Sequence, residues 1–282
     1  MKRRKTLQEL TIKDNFMFGA VMCDERNCKR FLEMALGFPI ARVEISKEKC
    51  IVYHPQYKGV RLDVYAKDEN NTHYNVEMQA VKTSAIFRRA RYYHSQIDME
   101  LLLSGTPYSE LPNSYVIFVC DFDPFGKKKY CYTIQNQCFE LENELVDDGN
   151  TTIFLSTKGK NTEDVPKELI AFLEYVSADL KDSTADFGDD FIASIQKSVL
   201  SIKRSREMES RYMIFNEMLM DERREGKAEG KAEDVIMLLE DIGFISDDLR
   251  EKIMKETDFD VLKRWLKLAI KAESVEQFIN EM

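Results

Sequence analysis

No apolar run in the chain approaches the ~18–20 residues that a bilayer-crossing helix requires, so no membrane span is expected. The basic start, Met1-Lys-Arg-Arg-Lys5, runs into the polar Thr6-Leu-Gln-Glu-Leu10 instead of the hydrophobic core of a secretory signal. Six cysteines, at 23, 28, 50, 120, 131 and 138, show no regular framework. Cys23 and Cys28 lack a second pair at zinc-finger spacing, which argues against a structural zinc site. Cys120 and Cys131 fall inside strand-like runs, where a thiol acts as a small apolar group. These absences point to a reduced, cytoplasmic protein. Histidine is scarce too: His54, His73 and His94 are scattered through the first half and read as incidental, not as ligands or bases.

With 282 residues and 44% apolar content, the chain can bury a full core and carries one domain plus an appendage. The net charge of −9 conceals an asymmetry. Residues 1–140 hold 21 Lys/Arg against 17 Asp/Glu, and residues 141–282 hold 20 against 33. The first half can approach a polyanion through a local patch; the second half repels one. A simple basic DNA-coating protein is thereby disfavoured.

Residues 11–37 have a helical pattern, with Asp14 as N-cap and Gly37 as stop. A strand is expected over 42–53, and His54–Gly59 leads from it into a hairpin. Two stretches that follow, Val60-Arg-Leu-Asp-Val-Tyr-Ala66 and Tyr74-Asn-Val-Glu-Met-Gln-Ala-Val81, alternate apolar and polar residues at the period of a half-buried strand. The turn-rich Lys67–His73 joins them into a hairpin. Symmetry about Asn70 sets Asp63 opposite Glu77, with Gln79 two residues on along the same polar face. Two carboxylates facing each other across antiparallel strands repel unless a cation neutralises them. As hard oxygen ligands they suit Mg²⁺, or alternatively Mn²⁺.

A long helix is expected from Ser84 to Leu103, then a doubly covered strand at Tyr115–Phe122 and later strands at 129–134 and 151–155. The first half is therefore an α/β sandwich around a mixed sheet. From about Asp164 the pattern turns helical: Val165–Leu180, then Asp190 to about Glu225. The repeat Glu225-Gly-Lys-Ala-Glu-Gly-Lys-Ala-Glu233 reads as a solvated helix or a flexible joint, because each glycine costs a helix ~1 kcal/mol relative to alanine. Amphipathic pieces follow at 235–242, 248–255 and 260–272, where Trp265 is assigned to helix packing. The tail has no catalytic constellation and suits interaction, oligomerisation or a structural role.

Asp63 followed by Glu77-x-Gln79, after a leading helix and before a basic helix, resembles the PD-(D/E)XK nuclease superfamily. Within it the chain is most similar to the recombination-promoting nuclease and putative transposase family. The opening Asp14-Asn-Phe-Met-Phe18, Arg89-Ala-Arg-Tyr-Tyr93 and Leu103-Ser-Gly-Thr-Pro-Tyr108 carry the likeness, together with the Glu-Gly-Lys repeat. It implies a restriction-endonuclease-like α/β fold, a mixed sheet flanked by helices, with an α-helical C-terminal extension. The expected division is a nuclease-like domain over 1–160, a helical extension over 161–225, and the repeat with a small helical region over 226–282.

The resemblance further implies metal binding by Asp63 and Glu77, with Gln79 in the position the superfamily gives to lysine. A neutral amide cannot serve as a base, so Lys82, three residues on, is a candidate to supply the missing cation. Arg88, Arg89 and Arg91 continue a cluster free of acids from Lys82 to Arg91. Arg89 and Tyr93, four residues apart on one helical face, are implied phosphate contacts. The function expected is a Mg²⁺-dependent DNA endonuclease linked to recombination or mobile elements, with a homodimer formed through the helical tail. A catalytically silent nuclease fold used for binding is the alternative, and an RNA-cutting enzyme would share the same site.

Overall fold

The computed structural model describes residues 5–46, 50–51 and 60–282. The lead-in His54–Gly59 lies outside the described residues, as do most of the basic start and part of the strand expected over 42–53. That strand is seen as β1, Val43–Ser46. The hairpin arms are β2, Val64–Asp68, and β3, His73–Gln79. Their antiparallel register, with Val64 opposite Val76 and Lys67 opposite His73, is the one symmetric about Asn70. The Asp68 carboxylate closes the turn by accepting the main-chain N–H of Asn70 at 2.8 Å and of Thr72 at 2.9 Å. Asn71 takes the left-handed backbone that the turn needs, at φ 59°.

The sheet is mixed. It continues through β4, Ser114–Cys120, β5, Cys131–Ile134, and β6, Asn150–Ser156, in spatial order β1-β2-β3-β4-β6-β5. β3, β4 and β6 are mutually parallel, while β1, β2 and β5 run against their neighbours. Helix α1 spans Asn15–Met22, α2 Glu25–Leu36 and α3 Ile86–Leu101. α4 spans Lys167–Ser177 and α5 Asp190–Arg204. α3 covers one sheet face, where Ile86, Ala90, Tyr93 and Ile97 pack on Phe118 and Phe154. Strand alternation turns Val76, Met78, Ile117 and Val119 to the opposite face, all buried. On that side Phe18, Phe31, Phe172 and Phe191 form an aromatic chain at centroid spacings of 5.3–6.2 Å. Six strands with helices on both faces make this a restriction-endonuclease-like α/β fold.

Three local expectations change. The helical pattern over 11–37 is two helices, because Asp24 starts a new one by accepting the N–H of Arg26 and Asn27. Val60–Arg61 pairs with Cys50–Ile51 instead of continuing the hairpin arm. The polar hairpin face is more buried than expected: Tyr65, His73, Asn75 and Glu77 are buried on the side that α3 covers, while Asp63 and Gln79 are half-buried and Lys67 is exposed.

Contacts divide the chain into two units, residues 1–208 and 209–282. α6, Arg206–Glu240, begins after a break at Ser205, whose hydroxyl accepts the Met208 N–H. The second unit adds α7, Asp247–Met254, α8, Phe259–Ala269, and α9, Val275–Glu281. Ala232, Val235 and Leu239 of α6 pack there with Ile253, Trp265 and Phe278. Burial pushes the Cys28 and Cys120 thiols up to about 12, which leaves both as inert core groups. No described helix is long and apolar enough to cross a membrane.

Candidate metal centre and phosphate-contact site

The site forms where the sheet changes direction. Parallel strands β3, β4 and β6 end side by side at Gln79, Cys120 and Ser156, and open α/β sheets bind ligands beyond such carboxyl ends. β2 runs against β3, so the residue just before it, Asp63, returns to that same edge. The chain bends at Asp63. Its main-chain N–H donates to Glu77 Oε1 at 3.2 Å. The Met78 N–H in turn donates to Asp63 Oδ2 at 3.1 Å. Each carboxylate is thus fixed by the other residue's strand.

Glu77 is only 5% exposed. Burial, and next the charge of Asp63, push its carboxyl well above the ordinary carboxylate range. The Tyr93 hydroxyl donates to Glu77 Oε2 at 3.3 Å. Burial, and then the Glu77 charge, push that phenol upward as well. Asn75, fully buried two residues before Glu77 on the same face, works the other way: its side-chain amide favours the charged form of that carboxyl.

This donor set fits a hard divalent cation. Two carboxylates converge although their mutual repulsion works against it, and both present oxygen. No group of three or more His, Cys, Asp or Glu forms a metal cage among the described residues. A two-carboxylate site suits Mg²⁺, which keeps several of its own waters.

Gln79 has a different environment from the one expected. Its Nε2 donates to the Val81 carbonyl at 2.7 Å, and its Oε1 accepts from Arg89 Nη2. The Arg89 guanidinium also lies over the rings of Phe118, 5.1 Å from the centroid, and Tyr93, at 5.8 Å. Tyr93 and Phe118 are stacked on each other at 6.1 Å. Asp63, Glu77, Gln79, Arg89 and Tyr93 therefore form one connected group. Lys82 lies on the exposed segment before α3, and Arg88 and Arg91 project from the exposed side of that helix. Among the described residues none of these three makes a side-chain hydrogen bond or ion pair to the connected group.

Sequence reasoning missed Asn15, whose Nδ2 donates to Asp63 Oδ2 at 3.3 Å. The neighbouring Asp14 starts α1, but its carboxylate turns back to accept from Thr11 N–H and from Lys5. The signal was present in the Asp14-Asn15 pair, yet the sequence alone does not say which of the two faces the sheet. Two cations at the same edge were also missed. Lys158 Nζ lies 2.7 Å and Lys13 Nζ 3.8 Å from the carboxylate of Asp121, whose N–H donates to the Gln79 carbonyl.

No curated protein and no solved structure matches the chain. The family model of the PD-(D/E)XK nuclease family transposases matches residues 13–229, a span that contains the whole sheet and every residue of the site. On that match, and with the expected mixed sheet in place, the chain belongs to the PD-(D/E)XK nuclease family transposases.

Proposed function

We propose that the protein is a metal-dependent DNA endonuclease that hydrolyses phosphodiester bonds in recombination or mobile-element transfer. The observation that carries this reading is the convergence of Asp63 and Glu77, the latter almost fully buried and electrostatically strained by the former. Two carboxylates this close, one of them buried, cost stability unless a cation or a proton neutralises them. Their position at the carboxyl edge of the parallel strands supports a charge-binding task.

Asp63 and Glu77 would hold Mg²⁺, or Mn²⁺ in its place. The ion would supply an acidified water and neutralise charge on a phosphoryl oxygen. Tyr93 bonds the Glu77 oxygen that the Asp63 N–H does not use, and Asn15 bonds the Asp63 oxygen that also accepts the Met78 N–H. Arg89, half-buried and stacked, would stabilise negative charge developing on the phosphate. Gln79 is tied to Arg89, so its contribution is to orient that guanidinium; orienting the attacking water would require the Val81 bond to open. Lys82, Arg88 and Arg91 are exposed and suit contacts to DNA phosphates farther from the scissile bond. Cutting both strands of a duplex calls for two sites, which supports a homodimer.

The alternative, a silent nuclease fold used for binding, draws on the full engagement of the Gln79 amide. Supercoiled plasmid incubated with Mg²⁺ or Mn²⁺ separates the two. Nicking by the wild type, lost in Asp63→Ala and in Glu77→Ala, is the expected result. Absence of nicking with either ion, in protein whose circular dichroism shows it folded, would sink the enzyme reading.

A further inference from the structure

Resting on the nuclease reading, we propose that the loop 121–130, together with Phe87, is a docking platform for a single-stranded nucleic-acid segment. Phe87 and Phe125 would take unpaired bases, and Lys127, Lys128 and Lys160 would take phosphates.

The loop, Asp121-Phe-Asp-Pro-Phe-Gly-Lys-Lys-Lys-Tyr130, leaves β4 directly beside Gln79, since the Asp121 N–H donates to the Gln79 carbonyl at 3.1 Å. It is built to hold one shape. Asp123 Oδ1 accepts the N–H of Phe125 at 3.0 Å and of Gly126 at 2.9 Å, and also the Tyr132 hydroxyl at 2.8 Å. Its Oδ2 accepts the Lys128 N–H at 2.6 Å. Gly126 and Lys128 both take the left-handed backbone, at φ 71° and 56°. For a lysine that conformation is costly and persists only where its surroundings impose it. A second loop locks the first: the Lys160 N–H donates to the Lys128 carbonyl at 2.8 Å. The Tyr130 ring lies so close to Gly159 that a Cβ there would meet it at 2.2 Å.

This rigid loop presents apolar surface to water. Phe125 is 40% and Phe87 42% exposed, and their centroids lie 4.9 Å apart. Phe87 packs on Phe154, Phe154 stacks on Phe118, and Phe118 carries Arg89 over its face. A continuous aromatic ladder thus joins the two exposed rings to the phosphate-contact arginine. Lys127, Lys128 and Lys160 are exposed beside them and have no ion-pair partner among the described residues. Half-exposed aromatic rings with unpaired lysines complement a strand whose base faces are free and whose backbone is anionic. In a duplex the base faces are already stacked and are not available to the rings.

The test uses the full-length protein in EDTA, with fluorescence anisotropy on a labelled 15-nucleotide single strand and on the matching duplex. The wild type should bind the single strand more tightly. Phe125→Leu keeps apolar bulk without a ring face and should weaken single-strand binding about tenfold, while Phe125→Tyr restores it. The double variant Lys127→Ala/Lys128→Ala should lower the slope of log affinity against log salt by about 1.4. Binding of Phe125→Leu within twofold of wild type, or tighter binding of the duplex than of the single strand, would overturn the proposal. Because no metal is present, neither result depends on cleavage. Plasmid nicking with a normal Phe125→Leu removes this proposal alone. A ring-dependent single-strand preference without nicking removes the nuclease reading alone.

Discussion

Asp63 and Glu77 hold each other through main chain: the Asp63 N–H reaches Glu77 Oε1 at 3.2 Å, while Glu77's neighbour Met78 donates to Asp63 Oδ2 at 3.1 Å. Without a cation the folded chain must either keep Glu77 protonated or hold two like charges together in a poorly solvated place, a cost the unfolded chain does not bear. Glu77→Gln is neutral in both states and keeps the shape, so the metal-free variant should be more stable than wild type at neutral pH, by about 1–2 kcal/mol. Activity should vanish in the same variant. Urea unfolding in EDTA beside a plasmid assay checks both. A Glu77→Gln protein less stable than wild type would show that the pair is not under electrostatic strain.

Arg89 acts through shape as well as charge. It bonds to Gln79 and lies across Tyr93 and Phe118, a combination that lysine cannot reproduce. Arg89→Lys should therefore lower the nicking rate at least tenfold and cost about 1 kcal/mol of stability. Lys82→Ala, an exposed position away from the connected group, should shift stability by no more than about 0.5 kcal/mol. Equal losses of activity and stability in the two variants would remove the distinction drawn between buried and peripheral cations.

His94, on the buried face of α3, belongs to a buried polar chain. The Ser114 hydroxyl donates to Asn150 Oδ1 at 2.7 Å, so it accepts from His94 Nδ1–H, also at 2.7 Å. That leaves Nε2 to accept from the Thr152 hydroxyl at 3.0 Å. Burial pushes the imidazole down to about 4. Below its unfolded value of about 6.5, the unfolded chain takes up a proton that the folded chain refuses. Stability present above pH 6.5 is then lost as pH falls through about 4, by roughly 3 kcal/mol in total. His94→Gln should flatten this slope in urea melts taken between pH 7 and 4.5. An unchanged slope would place the acid sensitivity elsewhere.

The hairpin shows what a sequence discloses and what it withholds. Alternation and the turn residues at 67–73 contain the register, which is why the pairing of Val64 with Val76 agrees with symmetry about Asn70. Alternation does not say what covers the polar face. His73, Asn75 and Glu77 look solvated in sequence because a separate element later in the chain, α3, covers that face of the sheet. Arg89 and Tyr93 were legible as a pair through the family resemblance, with which their spacing of four agrees. Their attachment to Gln79 and Glu77 depends on where α3 lands on the sheet, which no local pattern sets. Asp14 and Asn15 fail for a related reason: both suit a helix start, and only tertiary packing turns Asn15 toward Asp63.

The Glu-Gly-Lys repeat gives the last prediction. Its glycines suggested either a solvated helix or a joint, and the structure shows the helix, α6, running through to Glu240. The apolar spacing of Ala228, Ala232, Val235, Ile236 and Leu239 already marks one helical face, and all five are buried in the core of the second unit. Gly226 and Gly230 lie in the same helix with no neighbouring atom within 4 Å of an added Cβ. Neither has a positive φ. Alanine at each should therefore remove backbone entropy from the unfolded chain and stabilise the helix by up to about 1 kcal/mol per site. The double variant Gly226→Ala/Gly230→Ala should raise the thermal midpoint of the full-length protein, or of its C-terminal transition if two are resolved. Higher helicity together with a lower midpoint would mean that the repeat works as a joint and not as a continuous helix.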